Sequence, residues 1–172
     1  MKKIIYILIF FMLVISSPAQ TKTKDALLFE IEKYSNPGGS RRLSSSNTFY
    51  FYQSGRIDCQ KYKRDFQKTT TGKKVKCFQT TATKISELVK LAEDPDFQSA
   101  KESYILFSGG YDWGKSFYID YLGGNKKKTI KLIHSRFGDD GLEQIPDSLE
   151  KFLTKLGEID EGLKVEYELG KK

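Results

Sequence analysis

The chain has 172 residues, with 29 Lys and Arg against 22 Asp and Glu, one histidine and two cysteines. That length suits one domain with a core of its own, and a formal charge of +7 is too mild to indicate nucleic acid by itself. One histidine and two cysteines leave a thiolate or imidazole metal site short of ligands, so neither a metal nor a cofactor is expected.

Lys2 and Lys3 precede an unbroken apolar run from Ile4 to Ile15, and Ser17-Pro18-Ala19 puts small residues where a signal peptidase reads. That run is twelve residues long, whereas a membrane-spanning helix takes about 20. Residues 1–19 therefore read as a cleaved signal peptide, and 20–172 as a single exported α+β domain, periplasmic or secreted, without a stable transmembrane anchor. Two of the 29 basic residues and none of the 22 acids lie in the signal, leaving 27 against 22 and a charge of +5. No lipid-attachment cysteine follows the signal.

Apolar and polar side chains then alternate with the two-residue repeat of half-buried strands. Leu27, Phe29 and Ile31 share one face of a first strand, and Tyr34 to Ser40, rich in Pro and Gly, breaks it. From Thr48 to Gln53, Phe49 and Phe51 point one way and Tyr50 and Tyr52 the other, so both faces of this strand are expected to be covered. Ser54-Gly55 marks a turn, after which Ile57 and Cys59 share a face. A further strand over Lys73 to Thr81 puts Val75 and Cys77 on one face. In an exported chain an isolated cysteine pair indicates a disulfide. Direct opposition of Cys59 and Cys77 in an antiparallel ladder centres the register on Lys68, beside the turn-rich Thr69-Thr70-Thr71-Gly72.

Ile85, Leu88, Val89 and Ala92 follow helical spacing, with Thr83 as N-cap and Pro95 as stop. Strands resume at Ser103 to Phe107 and Ser116 to Leu122; Gly123-Gly124-Asn125 turns the chain, and Lys126 to His134 returns with Ile130 and Leu132 on one face. Asp147 and Glu150 have the spacing of a capping box ahead of the stripe Leu149, Phe152, Leu153 and Leu156, which Gly157 is expected to end. Alternation from Leu163 to Leu169 reads as a last strand, with a frayed helix as the rival reading. The pattern as a whole predicts an α+β fold: a mostly antiparallel sheet of five to seven strands with two helices packed on one face.

Gly109 to Ser116 satisfies the phosphate-loop pattern G-x-x-x-x-G-K-[ST]. That loop needs a helix N-terminus to converge on phosphate, and the alternation after Lys115 predicts a strand, so the segment reads as a glycine-rich connection and no nucleotide is expected. Its aromatic residues Tyr111 and Trp113, with Asp112 between them, form a candidate ligand-binding loop, since aromatic side chains on strand-end loops are common contact residues. A second constellation is cationic: Lys61, Lys63, Arg64, Lys68, Lys73, Lys74 and Lys76 crowd the two arms of the cysteine-bearing hairpin, with Tyr62 and Phe66 interleaved. Such a ribbon attracts phosphate-rich lipid headgroups, acidic polysaccharide or nucleic acid, and it also keeps strand edges from pairing.

No catalytic residue is assigned. His134, the only base for a hydrolytic triad, continues the face of Ile130 and Leu132, and no serine stands in a nucleophile elbow. Asp139, Asp140 and Glu143 offer oxygen ligands for calcium without the spacing of an EF-hand loop.

Phe49-Tyr50-Phe51-Tyr52-Gln53-Ser54-Gly55-Arg56-Ile57, then Ile85-Ser86-Glu87-Leu88-Val89-Lys90-Leu91, then Asp96-Phe97 resemble a small exported bacterial domain family of unknown function. The likeness covers about residues 25 to 157; Asn36-Pro37-Gly38-Gly39 stands where that family often has cysteines, and Ala19-Gln20 resembles the signal ends of Bacteroidetes-type bacteria. The resemblance implies an exported domain and carries no activity or site. The expected function is a non-enzymatic binding or interaction domain for a protein or envelope glycan. The alternatives are an envelope hydrolase with dispersed carboxylates and a basic-surface binder of anionic polymers.

Overall fold

The computed structural model describes residues 25–35, 44–65, 68–107, 116–124, 127–134 and 143–165. Residues 1–24 and 166–172 are among those that lie outside them. Eight strands form one sheet: β1 (Leu27–Ser35), β2 (Ser44–Tyr52), β3 (Arg56–Asp65), β4 (Lys68–Thr71), β5 (Val75–Gln79), β6 (Ser103–Phe107), β7 (Ser116–Tyr121) and β8 (Lys128–His134). Their spatial order is β4-β3-β2-β1-β7-β8-β6, with β5 following β4 along the same edge of β3. Every pairing is antiparallel except that of β6 with β8. Three helices, α1 (Ala82–Glu93), α2 (Pro95–Ser99) and α3 (Asp147–Ile159), and a 3-10 turn at Glu161–Leu163 complete an α+β fold.

The helices lie against one face because the strands make only one face apolar. Phe29, Ile31, Phe51, Ile57, Phe117, Ile119, Ile130 and Leu132 alternate inward and form a single buried cluster with Ile85, Leu88, Phe97, Leu149, Phe152 and Leu156 of the helices. Each such side chain contributes about 1.5–3 kcal/mol when fully buried. Leu27 does not join them: a register irregularity between Leu27 and Phe29 takes it out of phase, and Leu28 packs on the core instead.

Local chemistry places the helix ends. Thr81, not Thr83, caps α1, its side chain accepting from the Lys84 N–H at 3.2 Å. Pro95 stops α1 and also begins α2, where its missing N–H is harmless. The capping box at Asp147 does not form: Asp147 sits inside the first turn of α3, after Pro146, and Pro146 has no side-chain cap bond. The N–H and Oγ of Ser148 donate instead to Asp96 Oδ2, at 3.4 and 3.2 Å, so α2 caps α3 through tertiary contact. Gly157 lies within α3 instead of ending it, and an added Cβ there would make only ordinary contact with Lys164 at 3.5 Å. Leu163 is the end of the 3-10 turn, so no strand begins there.

Cys59 and Cys77 stand at disulfide distance, with Cα atoms 5.8 Å apart and a sequence separation of 18. Closing a loop of that length restricts the unfolded chain by about 3 kcal/mol. The two are not directly opposed. Val75 is the partner of Cys59, and the register slips between Ile57↔Phe78 and Asp58↔Lys76, leaving Cys77 as the extra residue of a bulge. The β3–β4 ladder pairs Asp65 with Lys68, so the threonines lie within the ladder and not at its turn. Thr69, Thr70 and Thr71 extend as β4, as β-branched side chains favour, and the break comes at Gly72 to Lys74, between β4 and β5.

Candidate binding faces

Tyr111, Asp112 and Trp113 lie outside the described residues, as do Asp139 and Asp140. The chain enters β7 at Ser116, so a strand follows Lys115 where a phosphate loop needs the start of a helix. Glu143 is committed to the sheet. Its N–H donates to the Ile105 carbonyl at 3.1 Å, and its Oε2 accepts from the Ile105 N–H at 2.9 Å. It thereby satisfies the free edge of β6. That backbone bond holds the Glu143 carboxyl below its usual range against the opposing effect of burial, with help from Lys101. Among the described residues no group of three or more His, Cys, Asp or Glu side chains is placed to hold a metal ion.

The sheet face opposite the helices bears a cluster that single-strand reading does not bring together. Register puts Glu30 between Tyr50 and Asp120, Glu32 between Thr48 and Tyr118, and Tyr34 between Ser46 and Ser116. On β3, Asp58, Gln60 and Tyr62 continue the same rows. Tyr34, Tyr50, Tyr52, Tyr62 and Tyr118 are all half-buried. Phe51 of the aromatic strand is under the helices, and on the opposite face Tyr50 and Tyr52, both half-buried, lie beneath cations. Lys74 Nζ lies 3.3 Å from the Tyr50 ring centroid, and Arg56 Cζ lies 3.9 Å from that of Tyr52. Such contacts add roughly 0.5–1 kcal/mol each at exposed sites. Tyr50 donates to Gln60 Oε1 at 3.0 Å, and Gln60 Nε2 donates to the Gly72 carbonyl at 2.9 Å, fastening the outer strands to this face.

Glu30 and Asp120 form a like-charge pair directly opposite one another, an arrangement that destabilises a sheet. Burial, then the Asp120 charge, raises the Glu30 carboxyl above its ordinary value of 4.5, with Lys74 pulling the other way. Tyr50 is raised as well, first by burial and then by Glu30. A folded value above the unfolded one means that the folded protein favours protonated Glu30. Its contribution to stability is fully present below 4.5 and is lost as pH rises through the folded value. Glu30→Gln is accordingly expected to raise the urea midpoint at neutral pH. The gain should vanish below the ordinary carboxylate range; urea titrations at a series of pH values check this, and an equal gain at every pH would contradict it.

Neither a protein-family model nor a curated protein matches the chain. The cationic residues are found where the hairpin places them. Lys61, Lys63, Arg64, Lys68, Lys73, Lys74 and Lys76 are all exposed, but they divide between the two faces. Lys61 and Lys63 share the face of Ile57 and Cys59, whereas Arg64 shares that of Asp58 and Tyr62. Lys74 turns onto Tyr50 and belongs to the tyrosine face. His134 ends β8.

Proposed function

We propose that the chain is exported and works as a non-enzymatic binding domain that takes a protein partner on the tyrosine-lined face of its sheet. The observation that carries this reading is that face itself: five half-buried tyrosines among carboxylates and cations, with the helices of the described residues on the other side. Tyrosine and arginine are the residues most enriched where proteins bind one another, and a Glu30–Asp120 repulsion kept in the fold marks a place where a partner's cation is welcome. No helix of the described residues is long and apolar enough to cross a membrane, and a cysteine pair at disulfide distance fits an oxidising compartment. Membership in the small exported bacterial family that the aromatic strand resembles is part of the same proposal.

A photo-crosslinking residue in place of Tyr118 or Tyr34 tests it, with Lys90 on the exposed side of α1 as control. One protein should be captured in the native envelope from both tyrosine positions and not from Lys90, on a product whose N-terminus is Gln20. Equal capture from all three positions would sink the proposal. The second reading, an envelope hydrolase, rests on Glu30, a carboxyl held protonated to higher pH beside Asp120, as a general acid requires. It calls for glycan hydrolysis that Glu30→Gln abolishes.

A further inference from the structure

Charge is segregated in this protein to a degree that its composition hides. Residues 59–76 hold seven cations and one acid, Asp65, and so six of the chain's seven net positive charges. Everything else is close to neutral. That segment is the arm made by the outer part of β3 with β4 and β5, and the disulfide-distance pair Cys59 and Cys77 clips its base.

One surface of the arm is built differently from the rest. Thr70 is the register partner of Lys63 and Lys68 that of Asp65, so Lys61, Lys63 and Lys68 share a face. Val75, the partner of Cys59, shares it too. Val75 stands at the level of Cys59 and Lys68 at that of Asp65, six residues along β3, so at about 3.3–3.4 Å per residue these positions line a stretch of roughly 20 Å on one face, which the position of Asp65 shares. Val75 is 55% exposed, the one large hydrophobic side chain exposed among the described residues. Edge protection explains lysines on this arm, and Val75 adds an apolar side chain beside Lys61 and Lys63 that a membrane surface can use.

We infer that this face docks the protein on a bilayer displaying anionic phospholipid headgroups. Lysine ammonium groups meet the phosphates while Val75 enters the boundary between headgroups and acyl chains, the combination by which soluble proteins adhere to charged membranes. A free linear polyanion has use for the lysines and none for the valine. The inference is independent of the partner proposed for the tyrosine face, which is turned the other way on the same sheet.

The test is co-sedimentation of the purified full chain with phosphatidylcholine vesicles, with and without phosphatidylglycerol, across a salt series. Every variant keeps the same N-terminus, so the contribution of the apolar run at Ile4 to Ile15 is constant. Binding should require phosphatidylglycerol and weaken with salt. At about five-fold per lysine, the triple change Lys61→Gln, Lys63→Gln, Lys68→Gln should weaken it about 100-fold. Lys90→Gln, Lys151→Gln, Lys164→Gln removes the same charge from outside the arm and should leave it unchanged. Val75→Ser should weaken vesicle binding several-fold without altering retention on heparin. Equal loss in both triple variants, or equal binding to neutral vesicles, would overturn the inference. So would Val75→Ser binding vesicles like the parent, which would assign the lysines to a free polyanion.

Discussion

Phe152→Ala is expected to remove about 3–5 kcal/mol of unfolding free energy. The Phe152 ring is fully buried on α3, with its centroid 5.4 Å from that of Phe29 on β1 and 5.3 Å from that of Phe97 on α2. Phe29 in turn lies 6.4 Å from Phe51 and 5.2 Å from Tyr121. A connected set of rings therefore ties two helices to the three adjacent strands β2, β1 and β7. Removing its middle member leaves a cavity whose walls are paired strands and capped helices, which relax little. Urea unfolding should show a lower midpoint with an unchanged slope, and the melting temperature should fall by roughly 10 °C. Phe152→Leu, which keeps most of the volume, should lose less than half as much. A loss below about 1 kcal/mol for the alanine variant would mean that α3 does not seat on β1 as described.

The interior was legible because period alone decides which side chains are buried. Phe29 and Ile31, Phe117 and Ile119, and Ile130 and Leu132 alternate strictly, and Ile85, Leu88 and Ala92 recur at helical spacing. All are in the core cluster. What period does not carry is pairing between distant segments. The Glu30–Asp120 neighbours are joined only because β1 lies between β2 and β7, and nothing within either strand announces that.

Helix ends were misread for a related reason. The Asp147 assignment assumes that a cap is local, whereas α3 is capped by Asp96 from another helix; the cap of α1 is local, but it is Thr81 and not Thr83. The strand count rose to eight because a threonine run that reads as a turn is also a good strand. The basic arm was visible in advance, since its charges are consecutive along one hairpin. Its division into two faces was not, because the ladder pairs Asp65 with Lys68 and a bulge shifts β5.

Gly55→Ala is expected to cost roughly 2–5 kcal/mol, from two separable sources. Gly55 closes the turn between β2 and β3 at φ +86°, a conformation that costs a residue with a Cβ about 1–2 kcal/mol. Its N–H donates to the Tyr52 carbonyl and its own carbonyl accepts from the Thr80 N–H, both at 2.9 Å. The second source is collision: an added Cβ would stand 2.3 Å from the Thr80 oxygen and 3.1 Å from the Thr81 carbonyl carbon. Those are backbone atoms, which cannot rotate aside, and Thr81 is the N-cap of α1. The insult therefore passes from a hairpin turn to the start of a helix and the end of β5. Gly124→Ala isolates the first source, because Gly124 has φ +65° but faces only the Glu93 Oε1 atom at 3.8 Å. Urea unfolding of both variants should show Gly55→Ala as the more damaging by about 1–3 kcal/mol. Faster amide exchange at Thr80 and Lys84 should accompany it in the Gly55 variant alone, whereas equal losses would place the strain in the turns and not in the contact with Thr80.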